Sequence, residues 1–198
     1  MEDRPCFILR GVFSKQECMD IIKAVESKHD KEPVSMIPGT RSQFACRDSS
    51  MSNIVWERVK EFFPETLDNG TVVGLQTIWR HAKYFPGQSV FGHMDFRHTD
   101  ENDPCIASRV SFTVYLNDSE FSGGETTFVK NLKLDGSFDT EIYSSIPQAG
   151  SVIVFYQSVP EFSHCAKIVK NGCKSIMRAD VMYKFPSSEL ADPGALRL

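Results

Sequence analysis

The sequence predicts a mainly β protein with flanking helices, its core a double-sheet β-barrel or jelly roll. Two segments of helical periodicity stand first, and many β-branched and aromatic runs separated by Gly/Pro turns follow. That segregation favours packed sheets with helices outside. Phenylalanine is abundant, 15 of 198 residues, which suits a β-rich core. The length is enough to bury a sizeable core without disulfides and predicts one domain over 1–198. Its parts are a helical support over about 1–70, a barrel core over about 71–186 and a tail at 187–198.

Residues 5–12 read as a short strand. Ser14-Lys-Gln-Glu17 forms a capping box, and Ile21, Ile22 and Val25 continue at helical spacing, so a helix is expected over about 15–28. Residues 29–50, with Pro33, Pro38 and Gly39, read as a long loop with room for a short strand. Ile54, Val55, Val59 and Phe62 mark a second amphipathic helix that stops before Pro64. After Gly74 the character changes. Strands are expected over Leu75 to Tyr84, Arg109 to Leu116, Ser151 to Gln157 and Cys173 to Lys184. Shorter ones are expected around Ser89–Phe91, Glu125–Val129 and Ala166–Val169. The Gly123-Gly124 pair reads as a tight turn, because no Gly-Lys-Ser/Thr follows to make it a phosphate loop.

Composition excludes several classes. Charged residues are 24% and hydrophobic residues 41%, as in an ordinary globular protein rather than a disordered one. The net charge of −4 counts against a nucleic-acid-coating protein, so no nucleic acid is expected as partner. No window reaches the roughly 18 apolar residues of a membrane span, so no membrane partner is expected. The acidic start, Met-Glu-Asp-Arg-Pro, lacks a signal peptide's basic residues and apolar run, which places the expected location inside the cell, in the cytoplasm. The six cysteines contain no Cys-x-x-Cys pair and read as scattered thiols.

The sharpest local feature is His93-Met94-Asp95, followed much later by His164. Residues i and i+2 at a strand end share a face, so His93 and Asp95 can point the same way and His164 can close a facial set. Two histidines and one carboxylate fill three positions around Fe(II) and leave three open, as oxygen activation requires. Zinc more often takes a closed tetrahedron or a His-rich catalytic set. His81 and His98 are expected to stand outside this set. Cys165 is expected to face away from it. Trp79, Phe91, Phe96, Phe112 and Phe155 read mostly as core, with Phe96 and Trp79 as candidates to line a substrate pocket. Arg97 and Arg109 read as structural or rim charges, with contact to a substrate carboxylate as the other option. Arg41 and Arg47 read as solvated loop charges that could meet an acidic partner. The loops 29–50, 97–107 and 130–146 are expected to cover the barrel mouth.

The ordered surroundings of that motif carry a resemblance. Tyr84-Phe-Pro-Gly87-Gln88 stands ahead of His93. Behind it follow Arg109-Val-Ser-Phe-Thr-Val-Tyr115-Leu116-Asn117, Gly123-Gly124-Glu125-Thr126-Thr127-Phe128 and Pro147-Gln-Ala-Gly150-Ser-Val-Ile-Val-Phe155. Lys174 comes after His164, in Lys174-Ser-Ile-Met-Arg178-Ala-Asp180-Val-Met-Tyr183. The set resembles the Fe(II)/2-oxoglutarate-dependent dioxygenases, in particular the prolyl-4-hydroxylase-like branch. The likeness is diffuse from about residue 5 and strong over 74–184.

The resemblance implies a double-stranded β-helix, a jelly-roll, cupin-like core, with His93, Asp95 and His164 as iron ligands. It implies Fe(II), 2-oxoglutarate as co-substrate, O2, and ascorbate as reductant. Halogenating relatives lack the carboxylate held here by Asp95, so hydroxylation is the implied outcome. Lys174 takes the place of the basic residue that meets the distal carboxylate of 2-oxoglutarate, and Tyr84 that of a tyrosine bonding the same group. Arg178 shares a strand face with Lys174. It is left with several roles: the other end of 2-oxoglutarate, an iron-bound water, an anionic substrate, or a salt bridge to Asp180 or Asp95. The implied activity is hydroxylation of an aliphatic C–H with release of succinate and CO2. The substrate is a small molecule or a peptide: a prolyl or other peptidyl side chain, a free amino acid, or another metabolite. The alternative is a non-catalytic ligand-binding β-barrel that retains the metal motif. Oligomeric state is not legible.

Overall fold

The computed structural model of the chain describes residues 4–29 and 41–191. The central part of the 29–50 loop and residues 192–198 of the expected tail lie outside the described residues. Strand β1 (Cys6–Leu9) leads into α1 (Lys15–His29). The capping box forms as read: the Ser14 hydroxyl accepts the Glu17 N–H at 3.1 Å, and Glu17 accepts the Ser14 N–H at 2.7 Å. Glu17 also takes Arg58 at 2.6 Å and so ties α1 to α2 (Ser49–Val59), which follows β2 (Ser42–Arg47). Asp48 caps α2 by accepting the Met51 N–H. The buried face of α2 is Ser52, Val55 and Val59, whereas Ile54 and Phe62 are half-exposed, so the expected apolar stripe is rotated. Strand β2 is longer than the short one the loop was expected to hold.

The barrel strands are β3 (Thr66–Leu67), β4 (Gly70–Leu75), β5 (Ile78–Tyr84), β6 (Val90–His93), β7 (Ile106–Tyr115), β8 (Phe121–Gly123) and β9 (Thr126–Lys130). Then come β10 (Thr140–Ser145), β11 (Val152–Tyr156), β12 (His164–Ala166), β13 (Val169–Gly172), β14 (Lys174–Lys184) and the short α3 (Ser188–Ala191). The expected strand over 75–84 is broken. Leu75 faces Val181 and Arg80 faces Arg178, so the chain keeps to one edge of β14 while accommodating extra residues at 76–77. The break is fixed by the Gln76 N–H on the Asp180 carbonyl and the Asp48 N–H on the Thr77 carbonyl. The strand expected at 166–169 straddles the gap between β12 and β13. The expected loop 130–146 contains β10, whose mostly exposed side chains give no strong alternation.

The large sheet runs β1-β11-β7-β14, after which β14 pairs with β5 along one half and β4 along the other; β2 extends β5 and β3 extends β4. A second sheet runs β10-β9-β12-β6, and β13 pairs with β8. These curled sheets form the jelly-roll-like fold expected from the sequence. The large sheet is buried on both faces, so β7 and β11 are buried along almost their whole length. Parity separates the faces. Val110, Phe112, Val114, Met177, Ala179 and Val181 join Trp79 and the α2 residues Val55 and Val59 in the main core. The alternate residues, including Tyr115, Ile153 and Phe155, pack toward Phe128 of the second sheet. Trp79 lies in the main core, its Nε1 donating to Ser52 Oγ at 2.9 Å, and so does not line a pocket.

Candidate active site

Four strands bring the predicted site together. His93 ends β6, His164 begins β12, and the two face each other across the pair. Asp95 lies just past β6, its carbonyl accepting the Ser158 N–H at 2.9 Å. The ligand atoms offered by the three residues all lie within 4.8 Å of one another. Each histidine is set the same way: Nδ1 lies 2.9 Å from the Phe91 carbonyl in His93 and 3.0 Å from the Phe162 carbonyl in His164. A carbonyl only accepts, so Nδ1 carries the proton and Nε2 is left with its lone pair. Those Nε2 atoms stand 3.7 and 4.0 Å from the Asp95 oxygens.

Charge states suit metal binding. Burial pushes the Asp95 carboxyl up, but the Arg178 guanidinium beside it outweighs that and holds Asp95 well below the usual carboxylate range. Burial pushes His164 down to about 4, so its imidazole is neutral near pH 7. Asp95 accepts Ser111 Oγ on one oxygen and Arg178 Nη1 on the other, each at 2.6 Å. Arg178 also holds Asp180, at 2.9 and 3.1 Å. Asp180, wholly buried, takes Gln157 at 2.9 Å and Arg80 at 3.2 Å as well. Thus the salt bridges to Asp95 and Asp180, one of the options left open for Arg178, both form.

The inward face of the large sheet presents cross-strand rows. Arg80, Arg178 and Thr113 make one; Gln43, Ala82, Ile176 and Tyr115 the next; Tyr84 and Lys174 the one beyond. Lys174 is therefore four residues, about 13 Å between Cα atoms, along β14 from Arg178. His93, Asp95, His164, Tyr84, Lys174 and Arg178 all line one pocket. Lys174 is 1% exposed. Its Nζ donates to the Gly124 carbonyl at 2.6 Å and lies 4.9 Å from the Tyr84 ring centre and 5.5 Å from that of Tyr115. Burial pulls it down to about 7, with Glu125 opposing. Among the described residues, no carboxylate forms an ion pair with it.

An ammonium with three donors, so buried and so poorly met, fits an incoming carboxylate. The Nε2/carboxylate/Nε2 set at the other end fits Fe(II) with open positions. The residues present thus match the co-substrate and metal together.

Other expectations fare differently. Phe91 and Phe96 are 64% and 70% exposed and are not core. Arg109 is buried, not at a rim: it pairs with Asp68 at 2.9 Å and lies over the Phe185 ring. Arg97 meets the Tyr156 hydroxyl at 2.8 Å, and Arg47 meets Glu101 at 2.5 Å. His81 lies near Cys46 Sγ, and His98 is 3.9 Å from Asp180; neither joins the cluster. Gly123 and Gly124 form the expected turn, with φ of 78° and 70°. Sequence reasoning missed Ser111, Gln157 and Arg80. Ser111 had a signal, a small hydroxyl at the inward parity of a buried strand, between the core residues Val110 and Phe112.

The family model described as 2OG-Fe(II) oxygenase superfamily matches residues 79–179, just over half of the chain. No curated protein sequence matches it. Among solved structures, the chain is similar to a viral collagen prolyl hydroxylase from Paramecium Bursaria Chlorella virus-1 in complex with 2OG. That likeness has 19% identity, TM-score 0.61, and covers 92% of this chain and 97% of the other. A Pseudomonas putida prolyl-4-hydroxylase is similar at 16% identity and TM-score 0.59, covering 93% and 95%. HygX from Streptomyces hygroscopicus, with nickel and 2-oxoglutarate bound, is similar at 13% identity and TM-score 0.56, covering 92% and 84%. No helix among the described residues is long and apolar enough to cross a membrane. With its matched segment running from the buried Trp79 to Ala179 and enclosing the His/Asp/His cluster and the buried lysine, the chain belongs to the 2OG-Fe(II) oxygenase superfamily.

Proposed function

We propose that this oxygenase hydroxylates an aliphatic C–H bond of a prolyl or other peptidyl side chain. His93, Asp95 and His164 hold the iron, and Lys174 with Tyr84 holds the distal carboxylate of 2-oxoglutarate. The observation that carries the site assignment is Lys174, a buried lysine that pairs with no carboxylate among the described residues, in one pocket with the His93/Asp95/His164 cluster. When bound, Fe(II) and 2-oxoglutarate supply the oxidising chemistry: O2 is consumed, 2-oxoglutarate becomes succinate and CO2, and a substrate C–H becomes C–OH.

The protein's own residues position and insulate. Phe91 and Phe162 carbonyls fix both imidazoles, and Ser111 and Arg178 fix the Asp95 carboxylate. Lys174 and Tyr84 orient the co-substrate lengthwise between the two sheets. Arg178 stays with Asp95 and Asp180, which leaves Lys174 as the distal anchor. Phe91 and Phe96, exposed and next to the metal-site residues in sequence, are the candidate apolar contacts for a pyrrolidine ring presented by an extended peptide. The prolyl hydroxylases among the similar structures support the same substrate class. Ascorbate is the reductant expected to keep the iron ferrous.

The test is a panel of proline-containing peptides and free amino acids, incubated with Fe(II), 2-oxoglutarate, ascorbate and O2. The expected result is a peptide that gains one oxygen atom and stimulates succinate release in equal amount. Turnover of free amino acids alone would move the substrate to the small-molecule class. Co-substrate binding without any oxidation would favour the non-catalytic barrel.

A further inference from the structure

We propose that Arg41 is a second cation for the distal carboxylate of 2-oxoglutarate, so that this group sits between Arg41 and Lys174 beside Tyr84. The inference rests on the co-substrate reading above and adds a residue to it.

Register places Arg41 there. Ser42 faces Lys83 in the β2–β5 pair, so the preceding residue, Arg41, falls beside Tyr84, which itself faces Lys174. Neighbouring strands lie about 4.8 Å apart, so the three side chains form one row on the inward face. Arg41 lines the same pocket, and its charge acts on both Tyr84 and Lys174. Gln43, two residues on and on the same face, steadies it: with its amide oxygen toward Arg41, that oxygen accepts Nη2 at 2.7 Å and Nε at 2.6 Å.

Charge balance singles out this end of the pocket. Arg178 is met by Asp95 and Asp180, and Arg80 by Asp180. Among the described residues, no carboxylate pairs with Arg41 or Lys174. Two like charges held close over a tyrosine repel each other until an anion arrives between them. A substrate must bring its C–H to the metal at the other end of the pocket, so the anion that reaches this row is the far carboxylate of the co-substrate. Arg41 thereby makes the pocket select 2-oxo acids that end in a second carboxylate. A guanidinium suits this because its planar fork can hold Gln43 and a carboxylate together.

The test is anaerobic calorimetric titration of Mn(II)-loaded protein with 2-oxoglutarate and with 2-oxovalerate, which keeps the chelating end and lacks the distal carboxylate. Arg41→Ala is expected to weaken 2-oxoglutarate on the order of 10- to 100-fold and to leave 2-oxovalerate unchanged, with Arg41→Lys recovering part of the loss. Wild-type binding of 2-oxoglutarate with unchanged binding by Arg41→Ala would overturn the inference and leave the co-substrate reading standing. Equal loss of both ligands would overturn it too, since that marks a general disruption. Failure of the wild-type protein to bind 2-oxoglutarate would overturn both.

Discussion

Replacing Lys174 by Met in the metal-free protein should make the fold more stable while removing co-substrate binding. Lys174 titrates near 7 in the folded chain against an ordinary value of 10.5. At pH 7 the unfolded chain carries the full proton and the folded chain about half of it. The unfolded state is therefore favoured by about 4 kcal/mol through this one group. Wild-type stability should rise as pH climbs from 7 toward 10.5, because the lysine is then neutral in both states. Methionine removes the charge and fills similar space, but it leaves the Gly124 carbonyl without the donor it has at 2.6 Å, a loss of about 1–3 kcal/mol. The net gain is about 1–3 kcal/mol at pH 7, or roughly 2–12 °C in Tm for a chain of this size. By pH 9.5 it should shrink to about zero. Urea and thermal unfolding at pH 7, 8.5 and 9.5 measure it. A Lys174→Met protein less stable than wild type at pH 7, or an advantage that does not shrink with pH, would refute the reasoning.

Three further outcomes are expected. Arg178→Met takes from Asp95 its guanidinium partner and from Asp180 its closest one, so the metal-free fold should lose about 3–5 kcal/mol, with part regained on adding Mn(II); paired thermal melts check this. Binding of 2-oxoglutarate at pH 8 should take up close to one proton, because the arriving carboxylate raises Lys174 from about 7. Its affinity should then fall by up to about tenfold for each unit of rising pH, and calorimetry in buffers of different ionisation heat reads both effects. Gly150→Ala should destabilise by at least about 2 kcal/mol in urea unfolding, since φ is +78° and the new Cβ would lie 1.9 Å from the Phe13 carbonyl oxygen.

Much of this was legible in the chain because the signals are local. Ser14 and Glu17 announce α1, and the β-branched runs of β7, β11 and β14 announce the large sheet. His93 and Asp95 share a face by spacing alone, and Lys174 and Arg178 share one by strand parity. What was not legible depends on pairing between distant strands. The slip at Gln76–Thr77 is set by contacts with Asp180 and Asp48, more than twenty residues away in sequence. The choice between Lys174 and Arg178 turns on which lies beside Asp95, a fact of register. Strand β10 was hidden because it is a largely exposed edge strand with weak alternation. Phe91 and Phe96 read as core because surface exposure of a single aromatic leaves no compositional mark. Arg41 looked like a loop charge because the pairing of β2 with β5, which carries it to Tyr84, joins segments nearly forty residues apart.

The central claim is that this pocket couples O2 consumption to oxidation of 2-oxoglutarate at the His93, Asp95 and His164 site. The most direct measurement is succinate produced after purified protein, loaded anaerobically with Fe(II) and 2-oxoglutarate, is exposed to O2, with His93→Ala and Lys174→Met alongside. The account predicts succinate above the iron-free background for wild type and loss of that signal in both variants. Equal succinate from all three proteins, or none from a wild-type protein supplied with iron, reductant and a peptide it binds, would contradict it.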